Sequence, residues 1–155
     1  MKSVYIETSI ISYLAARPSR DLIIAAHQQL THDWWQCSSK YELVVSELVV
    51  TEASKGDASA AKQRLALLEG VNRLALSEQA HLFAQQMIFA KLIPKNEMAD
   101  ALHIAVAAAS GIDFLLTWNC AHIANAAIRP KIDDWFRVHG ITPPTICTPE
   151  ELLGK

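Results

Sequence analysis

Three features of this 155-residue chain predict an α/β domain: a mainly parallel sheet of four to five strands flanked by helices. Short β-rich runs alternate with helical patterns from one end to the other, as strand–helix–strand crossovers require. Residues 98–109, Met-Ala-Asp-Ala-Leu-His-Ile-Ala-Val-Ala-Ala-Ala, are apolar nearly all round and read as a helix lying between the sheet and other elements. A short apolar run at residues 114–117 then breaks directly into Trp118-Asn119, as a buried strand with polar groups at its carboxyl end does.

The elements follow in order. Residues 3–6 form a first strand, ending at Glu7-Thr8-Ser9, and a helical turn over residues 10–16 stops near Pro18. Ser19 or Asp21 caps a helix to about Trp35, in which Leu22, Ala26, Leu30 and Trp34 recur at helical spacing. Residues 41–45 are the second strand, and Ser46 caps a helix carrying Leu48, Val49 and Glu52. Asp57 caps the next helix, which ends at Gly70, and residues 72–76 are a weaker third strand. Ser77 caps an amphipathic helix with Ala80, Phe83, Ala84, Met87 and Ile88 on one face. Asn96 is the expected N-cap of the helix holding Asp100, and Gly111 the residue that ends it. After the fourth strand, residues 114–117, come helical pieces at 122–127 and 132–138, a short fifth strand at 145–147, and an acidic turn opened by Pro149.

Length predicts one domain spanning residues 1–155, with enough chain to bury a sizeable core. A hydrophobic fraction of 51% and a charged fraction of 19% fit a globular protein. No apolar run approaches the ~18 residues that span a bilayer, so no membrane association is expected. The N-terminus meets an acid at Glu7, too early for a secretory signal. Cys37, Cys120 and Cys147 are odd in number and widely spaced, which suits reduced, semi-buried thiols in the cytoplasm. The net charge of −2 excludes a generic basic nucleic-acid coat. It leaves a nuclease open, because an acidic centre gathers metal ions while phosphate contacts stay local.

An ionised carboxylate inside an apolar helix is costly unless something pairs with it, which makes Asp100 the first candidate for function. Ligands of open parallel sheets bind beyond the carboxyl ends of the strands. Glu7 and Asn119 emerge there, and Glu52 shares the inward face of Leu48, four residues earlier. Three carboxylates and an amide from four segments thereby converge on one point. Such a set is poorly ionised without a cation, and oxygen ligands favour Mg²⁺ or Mn²⁺. The chemistry implied is metal-assisted phosphodiester hydrolysis.

These segments resemble the PIN-domain nucleases, particularly the VapC-type toxins of bacterial toxin–antitoxin pairs. Val4-Tyr-Ile-Glu-Thr-Ser9 is similar to their first-strand motif, in which Asp precedes Thr and then Asn or Ser. Ser46-Glu-Leu-Val-Val-Thr-Glu52 resembles the segment ending in their conserved Glu, Ala99-Asp-Ala-Leu-His-Ile-Ala105 the helix of their third acid, and Phe114-Leu-Leu-Thr-Trp-Asn119 their strand ending in Thr-x-Asp or Thr-x-Asn. The resemblance implies a three-layer PIN-like fold and an endoribonuclease that binds Mg²⁺ or Mn²⁺. It further implies a homodimer, an RNA substrate and a small antitoxin partner. By motif, the catalytic and metal-binding positions are Glu7, Glu52, Asp100 and Asn119, supported by Thr8, Ser9 and Thr117. Two departures, Glu7 for Asp and a neutral Asn119, motivate a second reading: a PIN-like binding or regulatory module with weakened catalysis.

Other polar residues have plainer expected roles. Glu47 lies in a first helical turn and suits the helix dipole. His103 shares a face with Asp100 but is expected to be a core hydrogen-bonder, and His122 to order the turn after the fourth strand. Asp113 is a turn residue, Arg17 and Arg20 lie on a loop from which they could reach phosphates, and Trp34, Trp35, Trp118 and Trp135 are expected mainly in packing. No helix shows the clustered Lys/Arg face that a major-groove reader needs.

Overall fold

The computed structural model describes residues 1–154. The elements run β1 (Ser3–Ile6), α1 (Thr8–Ala15), α2 (Leu22–Gln36), β2 (Glu42–Ser46), α3 (Glu47–Ala53), α4 (Ala58–Leu67), β3 (Asn72–Leu74), α5 (Glu78–Phe89), α6 (Met98–Ala109), β4 (Phe114–Leu116), α7 (Arg129–Val138), β5 (Thr145–Cys147) and α8 (Pro149–Leu153). A 3-10 turn, Ser38–Lys40, joins α2 to β2. The five strands form one all-parallel sheet in the order β3-β2-β1-β4-β5, flanked by helices as expected.

β1 is the middle strand, and its residues Val4, Tyr5 and Ile6 are at most 1% exposed, which explains a strand that is apolar on both faces. The chain leaves β1 toward β2 on one side and later returns to pair β4 on the other, with Tyr5 opposite both Val44 and Leu115. The connections therefore diverge at β1/β4, the point at which open α/β sheets place a crevice beyond the carboxyl ends of their strands. α6 is buried along most of its length and packs against α5, its alanines allowing the backbones to approach closely.

The caps explain most helix starts. Asp21 Oδ1 accepts from Ile23 N and Ile24 N, and Ser46, Asp57 and Ser77 each bond the backbone three residues on. α8 has a capping box between Thr148 and Glu151. At the end of α6, Gly111 takes the left-handed conformation (φ 67°) that its position after the helix requires.

Several expected boundaries shift. Asn96 is not the cap of α6: Glu97 occupies that position without a side-chain cap bond, so the helix starts one residue later than expected, with Asp100 as its third residue. Residues 122–127 make hydrogen-bonded turns instead of a helix, because Asn119 Oδ1 captures His122 N, Asn119 O accepts from both Ile123 N and Ala124 N, and Asn125 Oδ1 captures Ala127 N. β3 and β4 are shorter than expected, and α7 starts three residues early, with Pro130 in its first turn. The cysteines are all free, but they divide into exposed Cys37 and Cys120 and buried Cys147, whose thiol burial pushes up to about 12. No helix among the described residues is long and apolar enough to cross a membrane.

Candidate active site

Glu7 leaves the end of β1 and folds back onto the next turn. Its carboxylate is the N-cap of α1, with Oε2 accepting from Ser9 N at 2.7 Å. Oε1 accepts from Ser9 Oγ at 2.9 Å and Thr117 Oγ1 at 2.6 Å. Glutamate is an unusual cap; here its extra methylene gives the reach to close this loop. Both hydroxyls pass the order onward, since Trp118 N donates to Ser9 Oγ and Asn119 N donates to Thr117 Oγ1. Glu7 is 5% exposed and Thr117 fully buried, so the start of the loop after β4 hangs from this single carboxylate.

Glu52 belongs to a second group across the same sheet end. Its Oε1 accepts from Thr8 Oγ1 at 2.6 Å and bonds His103 Nε2 at 2.7 Å. His103 Nδ1 continues to Tyr5 Oη at 2.7 Å, and Tyr5 Oη to Ser46 Oγ at 2.7 Å. Burial pushes the Glu52 carboxyl up, but the hydrogen bond and charge of His103, with the Thr8 bond, outweigh it and leave the group below its ordinary value. Burial likewise drives the Tyr5 phenol up, so it stays a neutral link in the chain. His103 is thus the buried hydrogen-bonder expected of it, with Glu52 as its partner.

The third group is more open. Asp100 Oδ2 bonds His122 Nδ1 at 3.0 Å, with side chains 16% and 30% exposed. Asn119 Oδ1 holds the backbone N of the same histidine at 3.1 Å. Glu97, one turn before Asp100 on α6, completes a set in which ligand atoms of Glu97, Asp100 and His122 lie within 4.8 Å of one another. Cis ligands of an octahedral ion with ~2.1 Å bonds lie about 3 Å apart, which the Asp100–His122 pair matches. Two carboxylates and an imidazole are donors a divalent cation accepts, and the nitrogen suits Mn²⁺ better than Mg²⁺. These residues fit a metal ion.

Hydrogen bonds connect the groups. Glu7 reaches Asn119 through Thr117, Asn119 reaches His122, and His122 reaches Asp100; Thr8, beside Glu7 in sequence, brings in Glu52. Glu7, Asn119 and Asp100 therefore belong to one hydrogen-bond network, which the Glu52 group adjoins only through the peptide link between Glu7 and Thr8, and among the described residues neither Glu7 nor Glu52 is in the 4.8 Å donor group. Sequence reasoning missed Glu97; its signal was the i, i+3 spacing to Asp100. His122 takes part in the turn through its backbone N–H, which Asn119 Oδ1 holds, while its ring bonds Asp100. Glu47 is exposed in the first turn of α3, and Asp113 binds Ser3 and Lys2 at the opposite end of the sheet. Trp118 stacks on His27 at 4.0 Å and donates from Nε1 to Thr31 Oγ1, so its ring is tied to α2.

Comparison with known proteins agrees with this architecture. No curated protein sequence matches the chain. Among solved structures, VapBC2 from Rickettsia felis, bound to a DNA fragment from its promoter, superposes with a TM-score of 0.58 at 13% identity, covering 94% of this chain and 98% of that one. The Mycobacterium tuberculosis toxin VapC20, described as cleaving the sarcin–ricin loop, gives 0.58 at 17% identity over 77% of this chain and 92% of that one. VapBC-1 from nontypeable Haemophilus influenzae gives 0.55 at 16% identity over 95% and 98%. At these identities the likeness is one of fold. The PIN domain model itself matches residues 4–120, most of the chain and all four sequence motifs though not His122, and the chain belongs to the PIN-domain family.

Proposed function

We propose that this protein is a Mg²⁺- or Mn²⁺-dependent endoribonuclease that hydrolyses RNA phosphodiester bonds, the toxin of a toxin–antitoxin pair. The observation that carries the reading is the Glu97–Asp100–His122 donor group, tied by hydrogen bonds to the β1/β4 crevice. Asp100, with Glu97 and His122, would hold the cation, and Glu52, Glu7 and Asn119 would complete or orient the site. A divalent ion there supplies charge neutralisation for the scissile phosphate and its leaving oxygen. Glu52, ionised at neutral pH and 27% exposed, is the carboxylate best placed to accept a proton from the attacking water. Glu7 acts by holding Thr117 and Ser9, hence the loop that presents Asn119 and His122.

The same reading makes residues 1–155 one PIN-like domain working in the cytoplasm, as a homodimer with a small antitoxin. Exposed Leu22 and Ile23 at the start of α2, 85% and 70% accessible, are apolar surface of the kind protein partners cover. The test is cleavage of labelled RNA with Mn²⁺ or Mg²⁺. Activity is expected to vanish in EDTA and in Asp100→Asn, which should remain folded. An Asp100→Asn protein that cleaves as well as the parent and ignores EDTA would sink the proposal.

A second reading is favoured by Glu7, whose two oxygens both accept internal hydrogen bonds, and by the neutral Asn119. Under it the fold is a binding module with little catalysis. Calorimetric titration with Mn²⁺ separates the two, since a degenerate site takes up no ion at physiological concentrations.

A further inference from the structure

A cleft of about 520 Å³ opens beside His122, between the end of α5, the connection to α6 and the start of α7. Lys91, Lys95 and Lys131 line it together with apolar residues, and no carboxylate does. Three of the chain's eight lysines thus meet at one place in a protein of net charge −2. All three are exposed, and among the described residues none is in an ion pair. Phe89, also on the cleft, is 90% exposed. His122 contributes to the cleft and bonds Asp100, so the cationic surface runs into the carboxylate site.

A second observation concerns Lys91. Its N–H bonds Ile88 O while Leu92 N–H bonds Met87 O, a helix ending in which the residue after the cap must be left-handed. Among the described residues, the other positive-φ positions, 56, 70, 111, 140 and 154, are all glycine; Lys91 alone adopts φ 61° with a side chain. That conformation is strained for any residue with a Cβ. Strain kept at the rim of a cleft points to a task for the ammonium group.

We infer that this cleft binds the phosphate backbone of single-stranded RNA through Lys91, Lys95 and Lys131, with Phe89 as a platform for a base, and leads the strand to His122 and Asp100. The inference rests on the nuclease reading and adds the path of its substrate. Phosphates need cations that are not already paired, and an exposed ring beside them suits a base face.

The test measures fluorescence anisotropy of a short labelled single-stranded RNA with the full chain in EDTA, over a range of salt. Changing Lys91, Lys95 and Lys131 together to Gln is expected to weaken binding about tenfold or more and to lower the log–log salt slope by about 2, three contacts at ~0.7 each. Phe89→Ala is expected to weaken binding at least about fivefold. Lys91→Gly alone should weaken binding yet raise the melting temperature by roughly 2 °C, a split that a merely structural lysine does not produce. Unchanged affinity and slope in the triple variant would overturn the inference, as would absence of RNA binding by the parent. Tighter binding of a polyglutamate peptide than of the RNA would overturn it in favour of an acidic protein segment. Cleavage by the parent with an unaffected triple variant removes the cleft and leaves the nuclease; lysine-dependent binding without cleavage in Mn²⁺ does the reverse.

Discussion

Glu7 and Asp100 are carboxylates joined by one hydrogen-bond network, yet their surroundings differ. Glu7 is nearly inaccessible and accepts three hydrogen bonds, from Ser9 N, Ser9 Oγ and Thr117 Oγ1. Asp100 is half-buried and shares one bond with His122, beside a second carboxylate, Glu97. Ionised groups are tolerated below the surface only when their lone pairs are satisfied. Glu7 is satisfied by the protein itself, whereas the Asp100 group is left with acceptor capacity for a cation. Under the proposed function, building the loop and holding the ion are separate jobs, done by different acids.

Exchanging the two acids' fates is the sharpest way to break this contrast. Asp100→Ala is expected to lower RNA cleavage by on the order of 10²–10³-fold and to abolish Mn²⁺ uptake by calorimetry, with little change in melting temperature. Glu7→Ala should do the opposite first. It removes the α1 cap and leaves buried hydroxyls without an acceptor, costing about 2 kcal/mol, or roughly 4–8 °C of melting temperature. Equal thermal losses in the two variants would erase the distinction.

His103→Phe probes the intermediate case, in which a buried histidine supports a half-exposed acid. Chemical denaturation should show a loss of about 1–2 kcal/mol, because Glu52 and Tyr5 each lose a partner. If Glu52 also orients the metal site, Mn²⁺ affinity falls by roughly 10-fold or more. The smallest effect is expected at Glu151, far from the crevice. Burial pushes its carboxyl up, but bonds from Thr148 and Arg129 outweigh this and hold it below its ordinary 4.5. A depressed folded value means that its contribution is full above that pH and fades as pH falls through the folded value. Glu151→Gln should therefore be slightly less stable than the parent at neutral pH, by on the order of a few tenths of a kcal/mol after solvent screening, and indistinguishable in acid.

Local pattern carried a great deal of this architecture. β-branched runs and capping side chains announced the strands and most helix starts, because a strand buried on both faces must be apolar and an orphan N–H must find an acceptor. Asp100 stood out as an acid in an alanine-rich helix, and Glu7 and Asn119 as polar residues where strands end. Glu97 did not stand out, since one carboxylate in a loop resembles any other until α6 begins beside it. The turns after Asn119 read as helix because side-chain capture of backbone N–H groups leaves no periodic signature.

The sequence by itself determined the alternation of strands and helices, the family, and which acids were worth pursuing. These depend on interactions within a few residues or on motifs written along the chain. Tertiary structure alone decided that Glu7 accepts three hydrogen bonds and Asp100 shares only one, that Glu97 and His122 share Asp100's neighbourhood, and that Lys91, Lys95 and Lys131 meet at one cleft. Lone pairs and charges combine through space, and the segments involved are joined only by the crossing of a parallel sheet.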